Sequence, residues 1–172
     1  MNVYEAIQKR RSIRSYKNRP IEQEKLDRIL EAARQAPSAS NRQEWRFVIV
    51  RDEAVRHSLM AAAGNQGFVG EAPVVIACCA ESDGHVMRCG QQSYPIDVAI
   101  AAEHIALAAA EEGLGTCWIG AFSEPEVKEI LGIPASVRVV QLLTLGYAGA
   151  PPGPRLRKPL EEIVCYDRWA LG

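Results

Sequence analysis

Two clusters of basic side chains stand at opposite ends of the 172-residue chain. The first is "RRSIR", residues 10–14, and the second is "PGPRLRKP", residues 152–159. Guanidinium groups this close together repel one another unless an anion offsets their charge. Arginine forks fit phosphate oxygens, and a serine hydroxyl adds another donor. Each cluster alone is typical of a solvated surface, so a phosphate site requires a fold that brings the two together.

The overall charge limits which phosphate this could be. The formal net charge is -1, whereas a nucleic-acid binder that neutralises phosphates usually carries a basic excess. The sequence also lacks G-x-x-x-x-G-K-[ST] and a G-x-G-x-x-G that follows a strand, the patterns of the common nucleotide-binding loops. These features indicate a small, local phosphate group and predict no nucleic-acid partner.

Metal and hydrolase chemistry find little support. There is no G-x-S-x-G elbow of a serine hydrolase. The three histidines are scattered, and His85 and Cys89 form the only close pair with metal-ligand chemistry. A zinc site needs three or four ligands, so we expect no metal. The five cysteines form no C-x-x-C pair, which predicts reduced, mostly buried thiols. Cys78 and Cys79 are adjacent in a predicted strand and should face opposite sides of it.

Periodicity and breakers predict an alternation of helices and strands. Helices are expected at 2–10, 21–36, 52–64, 96–112 and 123–132, and strands at 45–50, 74–80, 116–120 and 136–149. The alternation puts helices on both sides of one sheet and by itself predicts parallel strands in a single domain, 1–172. The most apolar helix contains charged residues and reads as buried rather than membrane-spanning. Without a signal peptide, the chain is predicted to be cytoplasmic.

Segments of small or polar residues separate these elements. "PSASN", "GNQ" and "GLGTCWIG" are candidate ligand loops, because small residues let a backbone approach a ligand and point its N–H groups at it. Ordinary turns are the alternative reading for all three. The segments 65–73 and 81–95 are predicted to be irregular, and 81–95 is the longest such stretch.

Five motifs in order resemble the FMN-dependent nitroreductase family over essentially the whole chain. They are "RRSIRSY", "APSASNRQEW", "GEAPVVI", "GLGTCWIGAF" and "PRLRKPLEEIV". The resemblance implies an α+β sandwich with a mixed, mainly antiparallel central sheet flanked by helices, which corrects the parallel expectation. It also implies an intertwined homodimer with the flavins at its interface, in which the C-terminal segment "EEIVCY" adds a strand to the partner's sheet.

The resemblance also implies a cofactor site. Arg10, Ser12 and Arg14 would bind the FMN phosphate and ribityl chain, Arg155 and Arg157 would form a second clamp from the same subunit, and Arg11 joins the cluster without a defined role. Pro37, Ser38, Ala39 and Asn41 would come from the other subunit. Asn65, with Gln66 beside it, would contact the polar edge of the flavin, and Gly120, preceded by Ile119, would place its backbone N–H near flavin N5.

The activity implied is a ping-pong reaction. Tightly but non-covalently bound FMN takes hydride from NAD(P)H and then reduces a nitroaromatic, a quinone or a similar electron-poor acceptor. The alternatives are another flavin reaction on this scaffold, such as dehydrogenation, dehalogenation or flavin fragmentation, or a non-enzymatic flavin-binding module. Glu44 stands where the family usually has proline, and residues 81–95 are read either as a lid that contacts substrate or as a plain surface loop.

Overall fold

A computed structural model describes residues 1–169 of the chain. The last three residues of the C-terminal tail, and with them the end of the predicted domain, lie outside the described residues. The described part contains six helices and four strands, with single 3-10 turns at Ala39–Asn41 and Leu160–Glu162. The helices are α1 Val3–Lys9, α2 Gln23–Arg34, α3 Glu53–Ala62, α4 Gly67–Glu71, α5 Tyr94–Glu111 and α6 Glu124–Leu131. The strands are β1 Trp45–Val50, β2 Val74–Ala80, β3 Gly115–Ile119 and β4 Arg138–Gly146.

The sheet has the order β1-β2-β4-β3, and all three neighbouring pairs are antiparallel. A parallel pairing occurs as an isolated bridge between Ser12 and Thr116, which places the N-terminal segment alongside β3. The parallel sheet expected from alternation is therefore wrong, and the mixed, mainly antiparallel sheet is confirmed. A helix between two strands does not fix their relative direction. Helix α6 connects β3 to β4, and these two strands are antiparallel neighbours.

The sheet is covered on both faces. Helices α2 and α5 pack together on one face, while α3, α4 and α6 lie on the other. Cys78 packs into the first core and Cys79 into the second, which confirms that they face opposite sides. Burial raises the pKa of the Cys78 thiol and raises that of Cys79 to about 11, so both stay protonated.

Helix α1 begins with the capping box that its sequence predicts. The Glu5 N–H donates to the Asn2 side chain at 3.0 Å, and the Asn2 N–H donates to the Glu5 carboxylate at 3.1 Å. The helix ends at Lys9, so the first basic cluster starts at its C-terminal cap, Arg10. Helix α1 packs against α5.

Two segments predicted to be irregular have more structure than expected. Residues 65–73 contain the short helix α4. Residues 81–95 contain a small hairpin, in which Val86 pairs with Gln92 and the Met87 N–H donates to the Gln91 carbonyl at 2.8 Å, and the first two residues of α5. None of the described helices has the length and apolar character needed to cross a bilayer.

Candidate functional site

The fold brings the two basic clusters together. They line one open pocket of about 320 Å³ whose walls come from both ends of the chain. The lining residues are Arg10, Arg11, Ser12, Arg14, Pro152, Gly153, Pro154, Arg155, Leu156 and Arg157. The pocket thus concentrates five guanidinium groups that are 141 or more positions apart between the two clusters, Arg14 to Arg155 being the nearest pair in sequence.

Arg155 joins the clusters directly. Its Nη1 donates to the main-chain carbonyls of Arg10 at 3.1 Å and Ile7 at 3.3 Å, at the C-terminal end of α1. Carbonyls at a helix C-terminus lack intrahelical partners and favour a cation. The Arg155 Nε is buried and has no hydrogen-bond partner among the described residues.

The N-terminal arginines differ in how far their charge is already compensated. Arg10 Nε lies 2.9 Å from Glu103 Oε1 on α5, although its N–H does not point along a hydrogen bond. Burial raises the pKa of the Glu103 carboxyl, and the nearby Arg10 opposes that rise. Arg11 folds back onto the end of α1, where its Nη1 donates to the Arg10 carbonyl at 2.9 Å and to the Gln8 carbonyl.

Arg14 and Arg157 are the most available cations. Both are exposed, and neither forms an ion pair with another described residue. Arg157 uses Nη1 only for the carbonyl of its neighbour Leu156, at 2.7 Å. With the Ser12 hydroxyl between the arginines, the pocket has the charge and the donors to hold a dianionic phosphate.

Small residues seat the N-terminal segment on the sheet. The Ile13 N–H donates to the Thr116 carbonyl at 2.9 Å, continuing the bridge beside β3. A Cβ at Gly115 would lie 2.8 Å from Ile13 Cβ, and one at Gly146 would lie 2.9 Å from the Tyr16 ring. Such distances leave no room for a side chain. The sequence predicts Gly115 only as part of the candidate ligand loop "GLGTCWIG" and does not reveal that it positions the basic segment.

A buried polar network lies beneath the same segment. The Tyr16 hydroxyl lies 2.9 Å from the Ile13 carbonyl, to which it donates, and 2.7 Å from Thr144 Oγ1 on β4. Thr144 Oγ1 in turn donates to the Cys117 carbonyl at 3.4 Å. Burial raises the pKa of Tyr16, so its hydroxyl stays protonated. The network ties the segment to two strands.

The other end of β3 carries the predicted ring contacts. From Thr116, beside Ser12, to Gly120 the extended chain covers about 13 Å. Gly120 is exposed, and a Cβ there would meet nothing within 4 Å. Gln66 Nε2 donates to the Ala121 carbonyl at 3.4 Å, which brings the Asn65–Gln66 turn beside Gly120. Asn65 is exposed in a left-handed conformation, with φ 57°.

Ile119 behaves differently from its neighbour. Its side chain is 3% exposed and packs into the core on the α3, α4 and α6 face. Only its backbone is therefore positioned for a ligand contact at this end of β3.

The predicted partner loop, Pro37–Asn41, does not line the basic pocket of its own chain. Its backbone is unusual, since Ser40, Asn41 and Gln43 all have φ between 50° and 54°. The Gln43 N–H donates to Ser38 Oγ at 3.0 Å, and the Ala39 N–H donates to Asp97 Oδ1 at 3.1 Å. The loop is held in one shape, and its role at a second subunit's site stays a prediction.

Glu44 forms an ion pair with Arg42 just after this loop. Its carboxylate is buried and lies 3.2 Å from Arg42 Nε, while Arg42 Nη2 reaches Asp83 at 2.5 Å. The Arg42 hydrogen bond lowers the pKa of Asp83. The 81–95 hairpin is thus joined to the loop, and Cys89 is exposed at its turn.

Comparisons with known proteins agree with the fold and the motifs. The sequence profile of the Nitroreductase family matches residues 7–63 and 57–147. An NADH dehydrogenase of Thermus thermophilus is 33% identical over 192 residues, covering 94% of this chain and 94% of the relative. A nitroreductase family protein from Clostridium novyi NT superposes with a TM-score of 0.82 at 37% identity, over 86% of each chain.

A second solved structure is the NADPH:FMN oxidoreductase from Vibrio harveyi complexed with NAD+. It superposes with a TM-score of 0.90 at 29% identity and covers 99% of this chain and 79% of that chain. The resemblance seen in the five motifs is confirmed at the level of profile, sequence and structure. The chain belongs to the Nitroreductase family.

Proposed function

We propose that this protein is an NAD(P)H-dependent FMN oxidoreductase built as a single FMN-binding domain. The observation that carries the proposal is the convergence of two arginine clusters in one pocket, with β3 running from that pocket to the exposed Gly120. A phosphate monoester carries nearly two negative charges and three strong acceptor oxygens at neutral pH. The similarity of this chain to an NADPH:FMN oxidoreductase and to an NADH dehydrogenase supports FMN as the cofactor and NAD(P)H as the donor.

The described residues fit the phosphate end of FMN. Arg14 and Arg157 are unpaired cations, and the buried Nε of Arg155 lacks a partner. Arg14 and Arg157 can each donate to a phosphate oxygen without breaking an existing ion pair, and Arg155 adds its positive charge to the same pocket. Arg10 would share its charge between the phosphate and Glu103, and Ser12 would donate its hydroxyl to the phosphate or ribityl chain.

The ring end is formed by backbone and amides. We assign Gly120 to present its main-chain N–H, with Asn65 and Gln66 supplying amide groups to the polar edge of the ring. Donors placed where negative charge develops stabilise the reduced cofactor. When bound, FMN supplies the chemistry of accepting a hydride and passing electrons to an acceptor. The chain's own part is binding and orientation, because the guanidinium groups here do not release protons at physiological pH.

The electron acceptor is proposed to be a nitroaromatic, a quinone or a similar electron-poor compound. NAD(P)H and the acceptor would bind in turn to the same exposed face of the flavin beside Gly120. Because the first product leaves before the second substrate binds, the kinetics would be ping-pong. Steady-state rates at several fixed concentrations of both substrates test this. Parallel double-reciprocal lines support the proposal, and intersecting lines contradict it.

The exposed apolar surface supports a homodimer. Leu156, Tyr166 and Trp169 in the tail are 82–90% exposed, and Val3 and Tyr4 on α1 are 67% and 78% exposed. A contiguous apolar patch usually marks an interface, and we propose that these side chains form part of one. We propose that the tail, including the predicted strand "EEIVCY", lies on a second copy, and that loop Pro37–Asn41 contacts the partner's flavin. Sedimentation of purified protein should give the mass of a dimer.

A further inference from the structure

Asp97 is a buried carboxylate outside the Pro37–Asn41 loop that accepts a hydrogen bond from this loop. It lies in the first turn of α5, is 3% exposed, and accepts the Ala39 N–H through Oδ1 at 3.1 Å. The two residues are 58 positions apart in the chain. The contact therefore fixes the loop relative to the central helix of the fold.

The loop needs such an anchor because its backbone is strained. Ser40, Asn41 and Gln43 have φ of 50°, 54° and 51°, in the left-handed region that non-glycine residues rarely adopt. Conformations of this kind persist only where the surroundings over-determine them. The Ser38–Gln43 hydrogen bond joins the loop to a residue just after it and cannot set the position of the loop on the fold.

The other anchors are at the far end of the loop. Arg42 pairs with Glu44 and with Asp83, and the Asp83 side chain is 67% exposed. The exposed Arg42–Asp83 pair contributes little to holding a segment in place. Glu44 is buried, but its pair with Arg42 lies after Asn41 and acts on the residues that follow the loop. Among the described residues, Asp97 is thus the buried contact at the start of the loop.

The chemistry of Asp97 also indicates a role beyond packing. Its neighbours on α5, Val98 and Ala101, are fully buried and apolar, and no described cation forms an ion pair with it. Its Oδ2 is buried without a hydrogen-bond partner. Stability alone would favour an apolar residue here, since a buried carboxylate without a cation is costly. The helix N-terminus and the charge-assisted bond to Ala39 offset part of that cost.

We propose that Asp97 is a positioning residue that holds the Pro37–Asn41 loop in the conformation required to contact FMN. The inference rests on the proposed function, in which this loop completes the flavin site of the other subunit. Asp97 acts through the Ala39 N–H and does not itself touch the cofactor.

Matched substitutions separate positioning from packing. Asp97→Asn and Asp97→Leu have nearly the same shape, but only asparagine keeps an acceptor for the Ala39 N–H. Val98→Ala damages the packing of the same helix at the next residue, which is fully buried, and it leaves the Asp97–Ala39 hydrogen bond in place. Asp97→Ala replaces Asp97→Leu if the leucine variant does not fold.

Two measurements are made on each variant. FMN is titrated into apoprotein, and hydrogen exchange is followed for the amides of residues 38–43. Asp97→Leu should weaken FMN binding at least tenfold and speed exchange at Ala39, while Asp97→Asn stays within about threefold of the parent because one neutral bond replaces a charged one. Val98→Ala should leave both quantities within twofold.

The inference is overturned if Asp97→Leu, or Asp97→Ala in its place, binds FMN within twofold of the parent. It is also overturned if Val98→Ala weakens FMN binding as much as the Asp97 substitution. Failure of the proposed function looks different, because the parent itself would then take up no FMN, whereas the exchange at Ala39 would still report the anchor.

Discussion

The Arg155 guanidinium donates to the main-chain carbonyl of Arg10 at 3.1 Å, across 145 positions of sequence. This bond makes one site from two clusters that are unremarkable apart. Arg155 both caps the C-terminal end of α1 and lines the pocket. The geometry therefore predicts that Arg155 contributes to folding stability and Arg157 does not, although both serve the phosphate.

Arg155→Ala and Arg157→Ala should differ in their effect on folding. Each removes a charged donor to phosphate, worth about 1.5–3 kcal/mol, so FMN binding should weaken about 10- to 100-fold in both. Arg155→Ala should also lower the free energy of unfolding of the apoprotein by about 1 kcal/mol, because it frees the α1 carbonyls. Fluorescence titration and urea unfolding measure the two effects. Equal stability of the two apoproteins would contradict the bridging role of Arg155.

Gly115→Ala should displace the basic segment. The new Cβ would lie 2.8 Å from Ile13 Cβ, and overpacking of this kind costs about 1–3 kcal/mol. FMN affinity should fall with stability, since Ser12 and Arg14 flank Ile13. Gly67→Ala is the control, because a Cβ at Gly67 meets nothing within 4 Å at the exposed start of α4. Unchanged FMN affinity in Gly115→Ala would show that the close approach does not matter.

Glu124 should contribute to acid sensitivity. The hydrogen bond from Arg138, helped by the Val139 N–H, holds its pKa at about 2, below the ordinary 4.5. A lowered folded-state pKa adds stability that is present above pH 4.5 and is lost as pH falls toward 2. The Arg138 side chain is 53% exposed, so we expect about 1 kcal/mol rather than the full value of the shift.

The corresponding measurement is urea unfolding of the parent and of Glu124→Gln across that pH interval. The difference in unfolding free energy between the two proteins should shrink as the pH falls. A difference that stays constant from neutral pH downward would mean that the Arg138 contact adds no pH-dependent stability.

Mixed dimers test where the Pro37–Asn41 loop acts. One subunit carries Arg10→Ala with Arg14→Ala and lacks a working clamp, and the other carries Asp97→Leu and lacks a held loop. If the loop serves the partner's flavin, one of the two sites combines an intact clamp with an intact loop. Differently tagged subunits, purified as heterodimers, should then bind one FMN per dimer with parental affinity. Weak binding at both sites would place the loop at its own chain's flavin.

Much of the fold could be predicted from the sequence, because local signals were strong. The capping box at Asn2, the continuous apolar run of β2 and the nearly all-apolar α5 each determine an element without help from distant residues. Strand direction could not be read from alternation, because it depends on which strands become neighbours. Strand β4 lies between β2 and β3 in the sheet, and this order depends on contacts between residues far apart in the sequence.

The candidate site was predicted unevenly for the same reason. Residue types identified the arginines as anion ligands, but their meeting depends on contacts between the two ends of the chain. Gly115 and Asp97 were missed, since the first acts through the space it leaves for Ile13 and the second through one backbone N–H. A glycine before a strand and an acid in an apolar helix were the available signals.

The most direct test of the central claim is the absorbance spectrum of the purified protein during anaerobic titration with NADH and with NADPH. The account predicts a yellow protein that binds one FMN per chain and whose flavin absorbance is bleached by at least one of the two donors. It also predicts that the colour returns when a quinone or nitroaromatic is added. A protein that takes up no FMN, or whose bound FMN neither donor reduces, would contradict the account.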